Sequence, residues 1–141
     1  MNEVSQTLYI PLYGKALVSR KGVILHDPKA EYIWKEEGFQ LRGKSASRWL
    51  AYYMGMRSAV MDRWVSAQLE KDPDAVVLHL GCGMDSRALR VEGGSAWFDV
   101  DFPAVISERR RYYKEDLYRC NQFSPHIQVK EPSMLQGCHH E

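Results

Sequence analysis

The residues best placed to do chemistry lie in the run Val76-Val77-Leu78-His79-Leu80-Gly81-Cys82-Gly83-Met84-Asp85-Ser86-Arg87, followed by Trp97-Phe98-Asp99-Val100-Asp101-Phe102-Pro103. An apolar stretch runs straight into a Gly-x-Gly turn, and a second short apolar stretch ends in acid. Glycines at such a turn let the backbone approach a ligand closely. A carboxylate at the end of the next strand can accept from both hydroxyls of a ribose. The chemistry is that of a crevice for a nucleoside-bearing cofactor at the carboxyl ends of parallel strands.

The details narrow the cofactor. A dinucleotide fingerprint needs a third glycine, and position 86 is Ser, which counts against NAD, FAD and a nucleotide-dependent oxidoreductase. No Gly-Lys-Ser/Thr follows, so the phosphate-binding loop of nucleotide hydrolases is absent as well. Gly81-x-Gly83, with acid about 18–20 residues later, suits S-adenosylmethionine, with Asp101 or Asp99 as the ribose acid. The plain alternative is a tight strand-to-helix turn with no ligand.

The elements that position these residues are read from spacing. Residues 7–14 carry Pro11 and Gly14 and read as extended or looped. Lys15 to Arg20 reads as one short helix. His26-Asp27-Pro28 starts a helix capped by Asp27, carrying Ala30, Tyr32, Ile33 and Trp34 and stopping near Gly38. Across 45–70, Trp49, Tyr53, Met56, Val60, Trp64 and Ala67 recur at steps of 4, 3, 4, 4 and 3. This predicts an amphipathic helix whose stripe packs on a sheet or covers a pocket, a core stripe rather than a binding platform. Ala75 to Leu80 reads as a buried parallel strand. Asp85 reads as the cap of a short helix to about Val91, with Arg87 pairing across the turn. Ala96 to Val100 reads as the second strand. Asp101-Phe102-Pro103 reads as the cap and start of a helix to about Leu117. Strand–helix–strand–helix order argues for a parallel sheet. From Tyr118 to Glu141 no period is sustained, although Gln128-Val129-Lys130 can pair as an edge.

At the glycine turn the chain resembles the leucine carboxyl methyltransferase family, in the branch of the tetracenomycin-type polyketide O-methyltransferases. The residues that carry the resemblance are Val77 to Arg87, Phe98 to Ile106 and Arg109-Arg110-Arg111-Tyr112-Tyr113. Upstream, Lys15-Ala16, Asp27-Pro28 and Met54-Gly55-Met56-Arg57 also match, so the likeness spans roughly residues 7 to 116. It implies a class I methyltransferase that uses S-adenosylmethionine and methylates an oxygen, a carboxylate or hydroxyl, of a small-molecule acceptor. Gly81 and Gly83 fall on the cofactor turn, Asp101 on the ribose-binding acid, and Arg57 on an arginine that contacts the cofactor carboxylate. Lys15 falls at an N-terminal lid position. The expected fold is α/β: N-terminal helices over 1–70, the first βαβα of a Rossmann-like methyltransferase sheet over 71–117, and an irregular tail over 118–141. Family members are longer and carry further strands, so the expectation is a truncated chain, inactive alone and prone to self-association through an incomplete sheet. The runner-up reading is a non-catalytic remnant that serves as a binding or interaction module.

The rest of the chain excludes more than it adds. A net charge of +1 supplies no global field for nucleic acid or a membrane surface. Arg109-Arg110-Arg111 sits among Glu108, Glu115 and Asp116 and reads as a solvated helix face. His79 reads as a satisfied core histidine and Cys82 as a small packing residue. Cys120, His126, Cys138, His139 and His140 lack the spacing of a zinc site, so no metal is expected. Three cysteines without a secretory leader favour the cytoplasm, and no apolar run approaches a membrane span.

Overall fold

Burial overrides local breaker signals at the N-terminus. In the computed structural model, which describes residues 3–38, 40–113 and 127–130, helix α1 runs unbroken over Glu3–Arg20 with Pro11 inside it. The loop expected at 7–14 is therefore helical. The reason is tertiary. Tyr9, Leu12, Ala16 and Ser19 recur at helical steps and are all buried, and such burial outweighs the helix penalty of one proline and one glycine. A Cβ on Gly14 would lie 2.6 Å from Met54 Cβ and 2.8 Å from the Ala51 carbonyl oxygen, and one on Gly55 would lie 2.7 Å from Val18 Cγ2. These two glycines let α1 and the helix that carries Ala51, Met54 and Gly55 approach closely.

Helix α2, Pro28–Glu37, starts and stops as its sequence dictates. Asp27 accepts from the Ala30 backbone N–H, Pro28 occupies the first turn, and Gly38 closes the helix in the left-handed conformation. A short 3-10 turn, Gly43–Ala46, precedes α3, Arg48–Lys71. The apolar stripe of α3 does not form a core: Trp49 is 85% exposed, and Tyr53, Met56, Val60 and Trp64 are also exposed. The helix buries Ala51, Gly55 and Leu69 instead. Its small residues face α1, so the bulky ones are left outward.

Strands β1 (Val76–Leu80) and β2 (Ala96–Val100) are parallel, with His79 opposite Asp99. Strand β3, Ile127–Lys130, pairs antiparallel with β2, as expected of that segment, giving the order β1-β2-β3. Between β1 and β2 lies α4, Arg87–Arg90, and after β2 comes α5, Pro103–Arg109. Alternation settles which face is covered. Trp97 and Asp99 of β2 are buried, whereas Val76, Leu78 and Leu80 of β1 are exposed. The strand expected to be buried on both sides is therefore covered on one face among the described residues. Helix α5 also ends earlier than expected. Arg111 and Tyr112 donate three residues back, to Glu108 and Arg109, and this tightened turn ends the helix; Leu117 lies outside the described residues.

The chain divides into two compact units, Met1–Val65 with Met84–Val91, and Ser66–Gly83 with Glu92–Glu141. The first is centred on Leu12, Val18, Ile33 and Ala88, and the second on Trp97, Val105 and Ile106. Among the described residues no helix is long and apolar enough to cross a membrane. The expected α/β class, with N-terminal helices and a parallel β1–β2 pair, is the architecture found.

Candidate functional site

Gly81 and Gly83 both have positive φ, 66° and 52°, a conformation that costs a side-chain-bearing residue roughly 1–2 kcal/mol. The turn is held by backbone bonds from Gly81 and Cys82 N–H to the Val100 carbonyl, at 2.8 and 3.3 Å. A Cβ on Gly81 would meet nothing within 4 Å, so the turn faces open space there. Asp101 follows the end of β2. Its Oδ2 accepts the Gly83 N–H at 2.8 Å and its Oδ1 accepts the Phe102 N–H at 2.7 Å. The structure thus brings Gly81, Gly83 and Asp101 together. Asp101 does not cap α5 as expected, because the capping position is Phe102 and makes no side-chain bond. Each carboxylate oxygen carries two lone pairs, so Asp101 keeps acceptor capacity for a diol. An open glycine turn beside a half-buried carboxylate fits the ribose end of a nucleoside.

Asp99, the other candidate acid, is committed elsewhere. It is 1% exposed and accepts from Arg109 Nη2 at 2.5 Å, and its Oδ1 lies 3.0 Å from His79 Nδ1. His79 is the satisfied histidine expected. Arg109 is not the solvated residue expected: it is fully buried, stacks on Tyr113 with its guanidinium carbon 4.1 Å from the ring centre, and donates to the Gly83 carbonyl at 3.2 Å. Arg110 and Arg111 are exposed, as expected of a solvated face, and Arg111 pairs with Glu108. A carboxylate on a covered strand face ten residues before an arginine was the available signal, and the triple-arginine run concealed it.

In the other unit Lys15 is 2% exposed, with Nζ 2.6 Å from Asp85 Oδ1. Burial pulls its ammonium below the ordinary lysine value, against the attraction of Asp85 and Asp27. Asp85 also takes Arg90 Nη1 at 3.0 Å and Arg87 Nη2 at 3.3 Å. It is therefore an ion-pair centre and not the cap of α4, whose capping position is Ser86 with no side-chain cap bond. Arg90 reaches Asp27 and Asp62, each at 2.6 Å. Burial acts to lower its pKa, but Asp85, Asp62 and Asp27 outweigh that and raise it. Ser86 donates to Asp27 Oδ1 at 2.6 Å, and Ser19 Oγ accepts the Asp27 N–H at 2.7 Å and donates to Glu31 at 2.5 Å. Sequence reading missed this cluster because Asp27 and Arg90 are 63 positions apart. Arg57, on α3, is exposed, and its side chain makes no hydrogen bond or ion pair among the described residues. Among the described residues no group of His, Cys, Asp and Glu is arranged to hold a metal; Cys120, His126, Cys138, His139 and His140 lie outside them.

Comparison with known proteins finds relatives among methyltransferases. The chain is 38% identical over 121 residues to the tetracenomycin polyketide synthesis O-methyltransferase TcmP of Streptomyces glaucescens, covering 82% of this chain and 44% of that protein. It is 30% identical over 122 residues to the S-adenosyl-L-methionine-dependent methyltransferase dpfgK of Gibberella zeae, covering 78% of this chain and 41% of that protein. The chain thus spans under half the length of these relatives. No solved structure matches. The leucine carboxyl methyltransferase model matches residues 3–129, and the chain belongs to that family.

Proposed function

We propose that this chain carries the cofactor-binding part of an S-adenosylmethionine-dependent O-methyltransferase acting on a small molecule. The observation that carries this reading is the 2.8 Å bond from Gly83 N–H to Asp101 Oδ2, which closes the glycine turn on the acid beyond the second strand. The turn admits the cofactor's backbone-like amino-acid part, and Asp101 accepts from the ribose hydroxyls. The cofactor supplies an activated methyl group. The protein's own task is to hold the acceptor oxygen in line with it and exclude water.

Oxygen as the acceptor atom, in a polyketide-type carboxylate or hydroxyl, draws its support from the printed activity of the Streptomyces relative. Arg57 and Lys15 are further proposed cofactor contacts, each resting on family resemblance. In addition, Arg57 presents an exposed guanidinium able to take a carboxylate bidentately. A cytoplasmic setting belongs to the same proposal, supported by an odd count of three cysteines, which does not suit a disulfide framework.

The test is calorimetric titration of the chain with S-adenosylhomocysteine. Binding is expected, weakened about tenfold or more in Asp101→Ala by loss of charge-assisted hydrogen bonds. A folded chain that takes up none, or an Asp101→Ala affinity equal to wild type, overturns the reading. The alternative, a non-catalytic remnant serving as a binding module, draws support from the exposed Val76, Leu78 and Leu80. It is distinguished by transfer of a labelled methyl group to a polyketide acid, which the remnant does not perform.

A further inference from the structure

Arg109 joins two features that are otherwise separate, a buried carboxylate on the sheet and the carbonyl of a turn glycine. Its side chain is fully enclosed. Nη2 binds Asp99 Oδ2 at 2.5 Å, and Nη1 binds the Gly83 carbonyl oxygen at 3.2 Å. Asp99 is fixed from its other oxygen by His79, its cross-strand neighbour in the β1–β2 register. Tyr113 supports the guanidinium with its ring.

Burying such a pair is costly, and replacing it with apolar residues is often neutral or stabilising. Stability alone therefore gives little reason for an arginine at this point. What the guanidinium supplies is geometry: a planar fork with donors at fixed angles. One prong is anchored on β2 through Asp99. The other fixes the plane of the peptide that follows Gly83. The N–H of the same glycine points to Asp101. Rotation about Gly83, which lacks a Cβ to restrain it, is thereby held at both its donor and its acceptor.

We propose that Arg109 is a positioning residue, which uses Asp99 as its anchor to set the orientation of Gly83 and, through the Gly83 N–H, the carboxylate of Asp101. Its benefit to cofactor binding rests on the reading of Gly83 and Asp101 given above; the positioning of Gly83 does not. Lysine at 109 keeps one charge for Asp99 but lacks the second prong. Asparagine at 99 keeps a hydrogen bond and loses the charged anchor. Both variants therefore loosen Gly83 while leaving apolar packing in place.

The experiment uses the full chain labelled with nitrogen-15, as wild type, Arg109→Lys, Asp99→Asn and Arg111→Lys. Three quantities are read: the Gly83 amide resonance, the thermal midpoint, and the affinity for S-adenosylhomocysteine. In Arg109→Lys and Asp99→Asn the Gly83 proton is expected to move upfield as its bond to Asp101 lengthens, and the affinity to fall about tenfold. Arg111→Lys, altered at an exposed residue, is expected to match wild type in both. An unmoved Gly83 resonance in a folded Arg109→Lys chain overturns the proposal, as does a shifted resonance with unchanged affinity in a wild-type background that binds. If both variants fail to fold, the pair is needed for folding itself and the proposal falls. If Gly83 responds but wild type does not bind S-adenosylhomocysteine, positioning stands and the cofactor reading fails.

Discussion

Replacing Asp27 tests the charged cluster of the N-terminal unit at its most connected point. Asp27 is fully buried, and its two oxygens serve three donors: the Ala30 N–H at 2.9 Å, the Ser86 hydroxyl at 2.6 Å and Arg90 Nη1 at 2.6 Å. Asp27→Ala removes all three. Loss of a helix cap costs about 1 kcal/mol. A buried hydroxyl deprived of its acceptor costs about 1 kcal/mol. Arg90 retains Asp62 and Asp85, so its loss is one charged hydrogen bond, about 2 kcal/mol, rather than the larger penalty of an unpaired buried ion. The expected destabilisation of Asp27→Ala is therefore about 4 kcal/mol. Asp27→Asn keeps an oxygen for Ala30 and Ser86 and is expected to lose about 2 kcal/mol. Urea unfolding followed by far-ultraviolet circular dichroism and tryptophan fluorescence reads both, provided the slopes match wild type. Equal losses for the two variants, or a loss below about 1 kcal/mol for Asp27→Ala, would refute the assignment of Asp27 as the shared acceptor.

Three further outcomes follow from other positions. Gly81→Ala is expected to lose about 1–2 kcal/mol to left-handed strain with no steric component, since its Cβ meets open space; Gly81→Asn should lose less, and a urea midpoint lower for Asn than for Ala contradicts this. Lys15 has a folded pKa below its ordinary value of 10.5, so the unfolded chain binds more protons between the two values, and stability rises with pH across that window and is lost as pH falls through the lowered value. Comparison of wild type with Lys15→Met as pH rises toward 10.5 should therefore show a relative gain for wild type, and parallel stability curves argue against a depressed lysine. Finally, the exposed Val76, Leu78 and Leu80 are expected to promote self-association. Sedimentation velocity should show wild-type oligomers that Leu78→Glu reduces; a wild-type chain that sediments as a single monomeric species removes that expectation.

The parts of the fold legible in sequence are those with local causes. Asp27-Pro28 and Gly38 bound α2 because capping is settled within a few residues. The Gly-x-Gly turn and Asp101 were readable because positive φ and a strand-end acid leave fixed residue types. Residues 7–14 misled because Pro11 and Gly14 are breakers only until burial of Tyr9, Leu12 and Ala16 outweighs them. The α3 stripe misled for the converse reason: periodicity reports that a helix has an apolar side, and the close contacts at Gly14 and Gly55 decide which side is buried. Asp85 and Arg109 were misread as cap and surface charge because their partners, Lys15 and Asp99, are identified only once the chain has folded.

The N-terminal unit is interrupted in sequence, and that has a consequence in time. Residues 84–91 belong with residues 1–65, so a growing polypeptide makes three helices before it makes the segment that neutralises them. Asp27 awaits Arg90 across 63 positions and Lys15 awaits Asp85 across 70, whereas Asp99 meets Arg109 after only ten. At translation rates of about 5–20 residues per second, the interval for Asp27 is roughly 3–13 s. Through that interval the carboxylate stays hydrated and the helices lack their charged clasp, while the short Asp99–Arg109 span closes almost as soon as it is synthesised. A nascent chain halted before Arg90 is accordingly the form most open to proteases and chaperones.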